Sequence, residues 1–185
     1  AEALISESIK LAAHAITKVP VDIRVDISPD IHSMWCHDGQ LKQVLVNLVV
    51  NAVQAMPNGG VLAISLFQEP SRTLGLPAVR LTVQDSGIGI PPAHQSRIFD
   101  PFFSTKDDGT GLGLAIVYSI VDAHQGRIDV DSTVGQGTAC SIILPHPAID
   151  GDPHAVQTPM RNELESSQSY PSEHTMALVE EWSHE

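Results

Sequence analysis

Only two cysteines, Cys36 and Cys140, stand in a chain of 185 residues. They are too few for a disulfide framework and lack the spacing of a metal site, so they read as core thiols of a reducing compartment. Basic residues are scarce too. Ten of them face 22 acidic ones, and the net charge of −12 argues against nucleic acid as a partner. No apolar run approaches the roughly 18 residues of a membrane span, and no basic-then-apolar leader opens the chain. The segment is therefore expected to be soluble and cytoplasmic, with no membrane contact of its own. An initiator methionine is also missing, as in a piece cut from a longer polypeptide, and that parent can itself be membrane-anchored.

What is present suffices for one domain of ordinary size: 42% of the residues are hydrophobic, enough to bury a core. The charge is uneven. Residues 146–185 hold eight acidic side chains against Arg161 alone, and are rich in Pro, Ser and His. A disordered acidic tail is expected there, with room for a short helix at "HTMALVEEW". Residues 1–145 form the expected domain, with Pro145 as its boundary.

Within the domain, "LISESIKLAAHAI" repeats apolar residues at helical spacing through Ile5, Ile9, Ala12 and Ile16, and Pro20 closes that helix. "VDIRVDI" alternates as a strand does, and "SMWCH" suggests a second short one. Asp38 is placed to cap a helix running from about Gln40 to Met56. Asn58-Gly59-Gly60 turns the chain into the strand "VLAISLF", and "AVRLTVQD" is another. Ser86 to Gly109 is long for a connection inside a compact domain, as a functional lid is. A helix ending near Gly126 and the hairpin "GRIDVDST"–"VGQG"–"TACSIILP" complete the pattern. Helices and strands mix without a regular βαβ rhythm. The fold class is α+β: a two-layer sandwich with helices on one face of a mostly antiparallel sheet.

Three features carry chemistry. The helix around "QVLVNLVVNAVQAM" is apolar on most of its circumference, yet Gln43, Asn47 and Asn51 follow one another at i, i+4 along one line. A solvated face would carry Lys and Glu, which are better helix formers than Asn. Asn51 offers an amide oxygen to a hard cation such as Mg²⁺, which keeps several waters and is completed by substrate phosphates; internal hydrogen bonding of the amides is the alternative. Next, "VQDSGIGIPP" ends a β-like run in Asp85 followed by Gly87 and Gly89. A buried carboxylate there can accept from an exocyclic amine, as on adenine, while the glycines admit a ring; ordinary turn chemistry is the alternative.

The third is "DDGTGLGLAIVYSIVDAHQG", with Gly109, Gly111 and Gly113 at alternate positions ahead of a helical run. Such a backbone is either a hinge or an anion site at a helix start. It is not a dinucleotide fingerprint, because Leu114 stands where a glycine is needed, and it lacks the Lys-Ser/Thr of a Walker loop.

In this order the features resemble the catalytic and ATP-binding domain of bacterial two-component sensor histidine kinases, within the superfamily that includes gyrase and heat-shock chaperone ATPases. "NLVVNAVQAM" is similar to the N box, "DSGIGIPP" to the first glycine box, "IFDPFFSTK" to the F box and "GTGLGLAIVYSIV" to the second glycine box; "STVGQGTACSIILP" resembles the closing hairpin. The resemblance runs from about residue 3 to Pro145, and "FDPFFSTK" with "NAVQAM" is similar to the nitrogen-regulation branch. It implies that the backbone of Gly109, Thr110, Gly111, Leu112, Gly113 and Leu114 closes over the ATP phosphates, that Lys106 is the cation of the lid, and that Asn51 holds Mg²⁺. It further implies that Asp85, with Gly87 and Gly89, reads adenine, that Thr138 sits behind the ring, and that Phe99, Phe102 and Phe103 anchor the lid.

In the hydrolysing relatives a glutamate that activates water takes the position of Asn47. An amide cannot accept that proton, so transfer to an external nucleophile is favoured, with Asn47 and Lys106 as the catalytic pair. The resemblance implies a histidine nucleophile on a dimerising helical hairpin and a response regulator downstream. None of the nine histidines matches the phosphoacceptor motif, His14 in "AAHAI" included, so the hairpin is expected on another chain or segment. Two other readings fit the same boxes: a nucleotide-dependent binding module without kinase activity, and a serine kinase of the anti-sigma type.

Overall fold

The computed structural model describes residues 1–17, 19–31, 37–69, 78–106 and 109–146. The short strand expected at "SMWCH", except His37, and all of the expected tail except His146 lie outside the described residues. The elements run in the order α1 (Glu2–Leu11), α2 (Ala13–Ile16), β1 (Val21–Ile27), α3 (Asp38–Gln54), β2 (Gly60–Glu69), β3 (Ala78–Asp85), α4 (Pro92–Gln95), α5 (Gly113–Ala123), β4 (Arg127–Thr133) and β5 (Gly137–Pro145).

The five strands form one sheet in the order β1-β2-β3-β5-β4. β1 lies parallel to β2, and every other pairing is antiparallel. Period-two alternation turns Leu62, Ile64 and Leu66 of β2, Leu81 and Val83 of β3, and Cys140, Ile142 and Leu144 of β5 to one face, where all are buried. Against them pack Leu41, Val44, Leu45, Leu48, Val49, Ala52 and Val53 of α3 and Val117 and Val121 of α5, completing a single apolar core. The opposite face carries Arg80, which bonds Glu69 at 2.8 Å and reaches Asp129 at 3.6 Å. That is the expected two-layer sandwich.

Burial of the lone described cysteine, Cys140, pushes its thiol up to about 12, as befits a packing group.

Several element ends differ from the sequence reading, each for a local reason. Asp38 does not cap α3: it is the first helical residue, behind an extended His37, and its carboxylate turns along the helix to Lys42 Nζ at 3.3 Å. The first helix is interrupted at Ala12, yet Ile16 N–H still reaches the Ala12 carbonyl at 3.2 Å, so α2 continues the same path. At the end of α5 the left-handed residue is Gln125 (φ 55), with Gly126 N–H on the Val121 carbonyl at 2.9 Å. Gly126 is needed instead for close approach, since a Cβ there would lie 2.7 Å from the Ile143 carbonyl oxygen.

One contact sets the relation of the two long helices. The His37 N–H at the start of α3 donates to Nε2 of His124 at 3.3 Å, and His124 follows the last residue of α5. The Nδ1 of that ring lies 2.8 Å from the Ile120 carbonyl, which fixes Nδ1 as the protonated nitrogen and leaves Nε2 as acceptor. The start of α3 therefore meets the end of α5. It follows that the start of α5, with its glycines, lies toward the C-terminal half of α3, where Asn47 and Asn51 stand.

Candidate nucleotide site

That expectation can be read directly at Gly113, the first residue of α5. A Cβ built there would meet Asn47 Oδ1 and Asn51 Nδ2, each at 3.7 Å. Asn47 Nδ2 is buried and, among the described residues, has no hydrogen-bond partner. Leaving a buried amide donor unpaired costs about 1–3 kcal/mol, a penalty that an acceptor supplied by a ligand removes. The N-terminus of α5 has no side-chain cap, with Leu112 in the cap position. Its first-turn N–H groups and the positive end of its dipole are thus open to an anion beside the amide pair.

Alternation along β3 that buries Val79, Leu81 and Val83 carries Asp85 to the same inner face, at 6% exposure. Its Oδ1 accepts the Gly87 N–H at 2.8 Å. Burial raises the Asp85 carboxyl above its ordinary range, opposed by the backbone amides of Gly87 and Thr138 and by the charge of Lys106. Thr138 is the register partner of Asp85 across β3–β5, and its hydroxyl lies 2.9 Å from Ser132 Oγ. Gly87 is obligatory in this geometry, since a Cβ would stand 2.4 Å from the Ala55 carbonyl oxygen at the end of α3. Gly89 takes a left-handed conformation (φ 70) against the Thr133 carbonyl.

Residues after Asp85 are held less by helix than by turns and side-chain bonds, α4 being four residues long. Phe99 leans on Tyr118 of α5 with centroids 5.8 Å apart, and Phe103 lies between the edge of His94 (5.7 Å) and the Arg97 guanidinium (4.5 Å). The resemblance gives these two rings, together with Phe102, the anchoring of a lid. Phe102 is itself 77% exposed and its backbone is left-handed (φ 66), with its N–H committed to Gly111, whose Cβ would lie 2.4 Å from the Phe102 carbonyl carbon.

Phe102 N–H bonds the Gly111 carbonyl at 3.0 Å and so ties the two ends of the intervening loop. Inside it, Ser104 Oγ accepts the Lys106 N–H at 3.0 Å, and the Lys106 carbonyl accepts the Gly109 N–H at 3.2 Å. Lys106, an exposed residue, points its ammonium back to Gln54 Oε1 of α3 at 2.6 Å. Burial of that end lowers its pKa, and the charge of Asp85 opposes the shift.

Asn47, Asn51, Gly113 and the α5 start are thus together, with Asp85, Gly87 and Thr138 at the neighbouring strand ends. The Thr110 hydroxyl accepts the Leu112 N–H at 3.4 Å, a local contact. The sequence reading missed three supports. Ser132 Oγ takes the Ile90 N–H at 2.8 Å, Gln95 Nε2 bridges the Ile90 and Ser132 carbonyls at 3.0 and 3.1 Å, and Ser86 Oγ takes the Val61 N–H at 2.9 Å. It also missed Gln54, although Gln54 continues the polar line of α3 at i+3 from Asn51.

The family model described as "Histidine kinase-, DNA gyrase B-, and HSP90-like ATPase" matches residues 36–148. The chain belongs to this family. It is 38% identical over 143 residues to the signal transduction histidine-protein kinase AtoS of Escherichia coli, covering 77% of this chain and 23% of that protein. Among solved structures, the nucleotide-free catalytic domain of the histidine kinase ThkA shares 34% identity with a TM-score of 0.65, over 78% of this chain and 91% of that one. Full-length ShkA in complex with AMPPNP shares 29% identity with a TM-score of 0.66, over 78% of this chain and 29% of that one. The chain thus spans about a quarter of the length of AtoS and matches nearly all of a kinase catalytic domain. Among the described residues, no helix is long and apolar enough to cross a membrane.

If the segment from Ser86 to Gly109 is a nucleotide-responsive lid, saturating Mg-ATP is expected to slow amide hydrogen exchange over residues 95–112. Unchanged exchange under saturation removes the lid assignment.

Proposed function

We propose that the chain is the ATP-binding catalytic domain of a sensor histidine kinase, which transfers the γ-phosphoryl group of ATP to a histidine on a separate dimerising hairpin. The observation that carries this reading is the buried Asn47 amide facing Gly113 at the uncapped start of α5, its Nδ2 without a partner among the described residues. A phosphate-bearing ligand at that point satisfies the orphaned donor and the open amides together. The names of the similar proteins support it, being those of histidine kinases and, for ShkA, of a complex with an ATP analogue.

Asp85 would accept the adenine amine, with Gly87 and Gly89 giving the ring room and Thr138 behind it. The amides from Gly109 to Leu114 would hold the phosphates, and Lys106 would neutralise charge on the group in transfer. Asn51 would hold Mg²⁺ once its amide is turned to present oxygen, an exchange of the two amide ends that costs no packing. Mg²⁺ at such a site is completed by phosphates and water rather than by a cage of protein ligands. Bound there, Mg²⁺ supplies charge neutralisation and in-line orientation. Asn47 has no carboxylate with which to activate water, so the chain favours a P–N bond to imidazole over hydrolysis as the bond to ADP breaks.

The test is to add a sensor-kinase helical hairpin in trans with Mg-ATP and look for acid-labile, base-stable phosphate on it. Its appearance is the expected result. Acid-stable phosphate on serine would instead favour the anti-sigma type of kinase, and ATP binding without transfer a nucleotide-dependent binding module.

A further inference from the structure

We infer that Gln54 is a positioning residue for the lid: its side-chain oxygen holds the Lys106 ammonium against the C-terminal end of α3 until nucleotide phosphates take the cation over. The inference rests on the proposed role of Lys106 as the phosphate-facing cation and concerns what holds that cation beforehand.

Four observations carry it. Lys106 Nζ donates to Gln54 Oε1 at 2.6 Å across 52 residues of sequence, so the pairing is a tertiary contact between the loop and the helix that bears Asn47 and Asn51. Gln54 is the last residue of α3, where the negative end of the helix dipole adds to the attraction for an ammonium. The Lys106 backbone is fixed by Ser104 through its N–H and carbonyl at 3.0 and 3.1 Å, so the side chain is aimed rather than free to wander. Among the described residues, no carboxylate lies within ion-pair distance of Lys106; the ionisable group that acts on it is the buried Asp85.

The chemistry of the acceptor decides what such a contact does. A neutral amide bonds an ammonium less strongly than an anion does. Gln54 therefore orders the lid cation near the site and yields it to a phosphate. A carboxylate at the same point would order the lid equally and keep the cation, while repelling the phosphates.

Gln54 is exposed, so its replacement leaves the core untouched. Gln54→Ala is expected to speed amide exchange of residues 102–106 and 109–112 about tenfold without nucleotide, the scale of one charge-assisted hydrogen bond, and to match wild type under saturating Mg-ATP. Gln54→Glu is expected to keep the nucleotide-free lid protected and to weaken ATP binding in calorimetry about tenfold. In a Lys106→Gln background, Gln54→Ala should add nothing to the exchange rate, which separates a contact to Lys106 from a general effect on the end of α3. Unchanged nucleotide-free exchange in Gln54→Ala, full ATP affinity in Gln54→Glu, or an undiminished effect in the Lys106→Gln background overturns the inference. If wild type itself fails to bind ATP, the proposed function falls first and by a different measurement.

Discussion

Asn51→Ala is expected to lower Mg²⁺-dependent phosphoryl transfer by roughly 100-fold or more, the scale seen when one preorganised electrostatic contact to a reacting group is lost. Nucleotide binding measured in excess chelator should stay within a few-fold of wild type. The separation follows from position. Asn51 shares with Asn47 the face of α3 that looks at Gly113, while the adenine-side groups, Asp85 and Thr138, sit on strand ends. The neighbours that hold α3 in the core, Ala52 and Val53, point away from that face and are buried independently of it. Loss of metal-free binding in parallel with transfer, or loss of a cooperative melt, would mean that α3 itself is damaged. Transfer within a few-fold of wild type would take the metal away from Asn51.

Asn47 and Asn51 were legible because a mostly apolar helix carries amides at i, i+4 only for a reason, and that spacing survives any detail of tertiary structure; Gln43, the first residue of the line, is exposed and lies outside the pair that faces Gly113. The strands and the closing hairpin of the β3–β5–β4 part were legible for the same cause, since alternation and turn residues are properties of a few consecutive positions. What was not legible depends on competition between partners. Asp38 is a good cap by type, yet Lys42 four residues on offers its carboxylate an ion pair, and Lys42 is drawn into place by Glu7 of α1 at 2.6 Å. The exposed ring and left-handed backbone of Phe102 accompany its N–H bond to Gly111, nine residues on. Ser132, Gln95 and Gln54 carry no local signature, because each acts on a residue at least five positions away, and Gln54 on one 52 away. A glycine box names its glycines; the side chains that hold the box in place become visible only once the loops are folded.

Asp85→Asn is expected to make the fold more stable and the site worse. If Asp85 accepts the adenine amine in a largely dry pocket, the bond is charge-assisted, and its loss costs about 1.5–3 kcal/mol. That is roughly 10- to 150-fold in ATP affinity. GTP presents a carbonyl where adenine has its amine, so wild type should bind it poorly, whereas the amide introduced by the substitution can donate to that oxygen and should narrow the ATP-to-GTP ratio. Stability runs the other way. Burial raises the Asp85 carboxyl above its ordinary range, so ionised Asp85 is disfavoured in the folded chain; what the group contributes to stability is fully present below the ordinary carboxylate range and is lost as pH rises through the raised folded value. At neutral pH the variant should therefore melt above wild type, provided its side-chain oxygen keeps the Gly87 N–H. The gap should close as the pH falls and Asp85 takes up its proton. Calorimetry with both nucleotides on both proteins, and melts of both across the acid range, read the two effects separately. Unchanged ATP affinity in a variant that melts cooperatively would return "DSGIG" to turn chemistry alone, and a stability gap that widens toward acid pH would show that burial of the charge is not what Asp85 costs the fold.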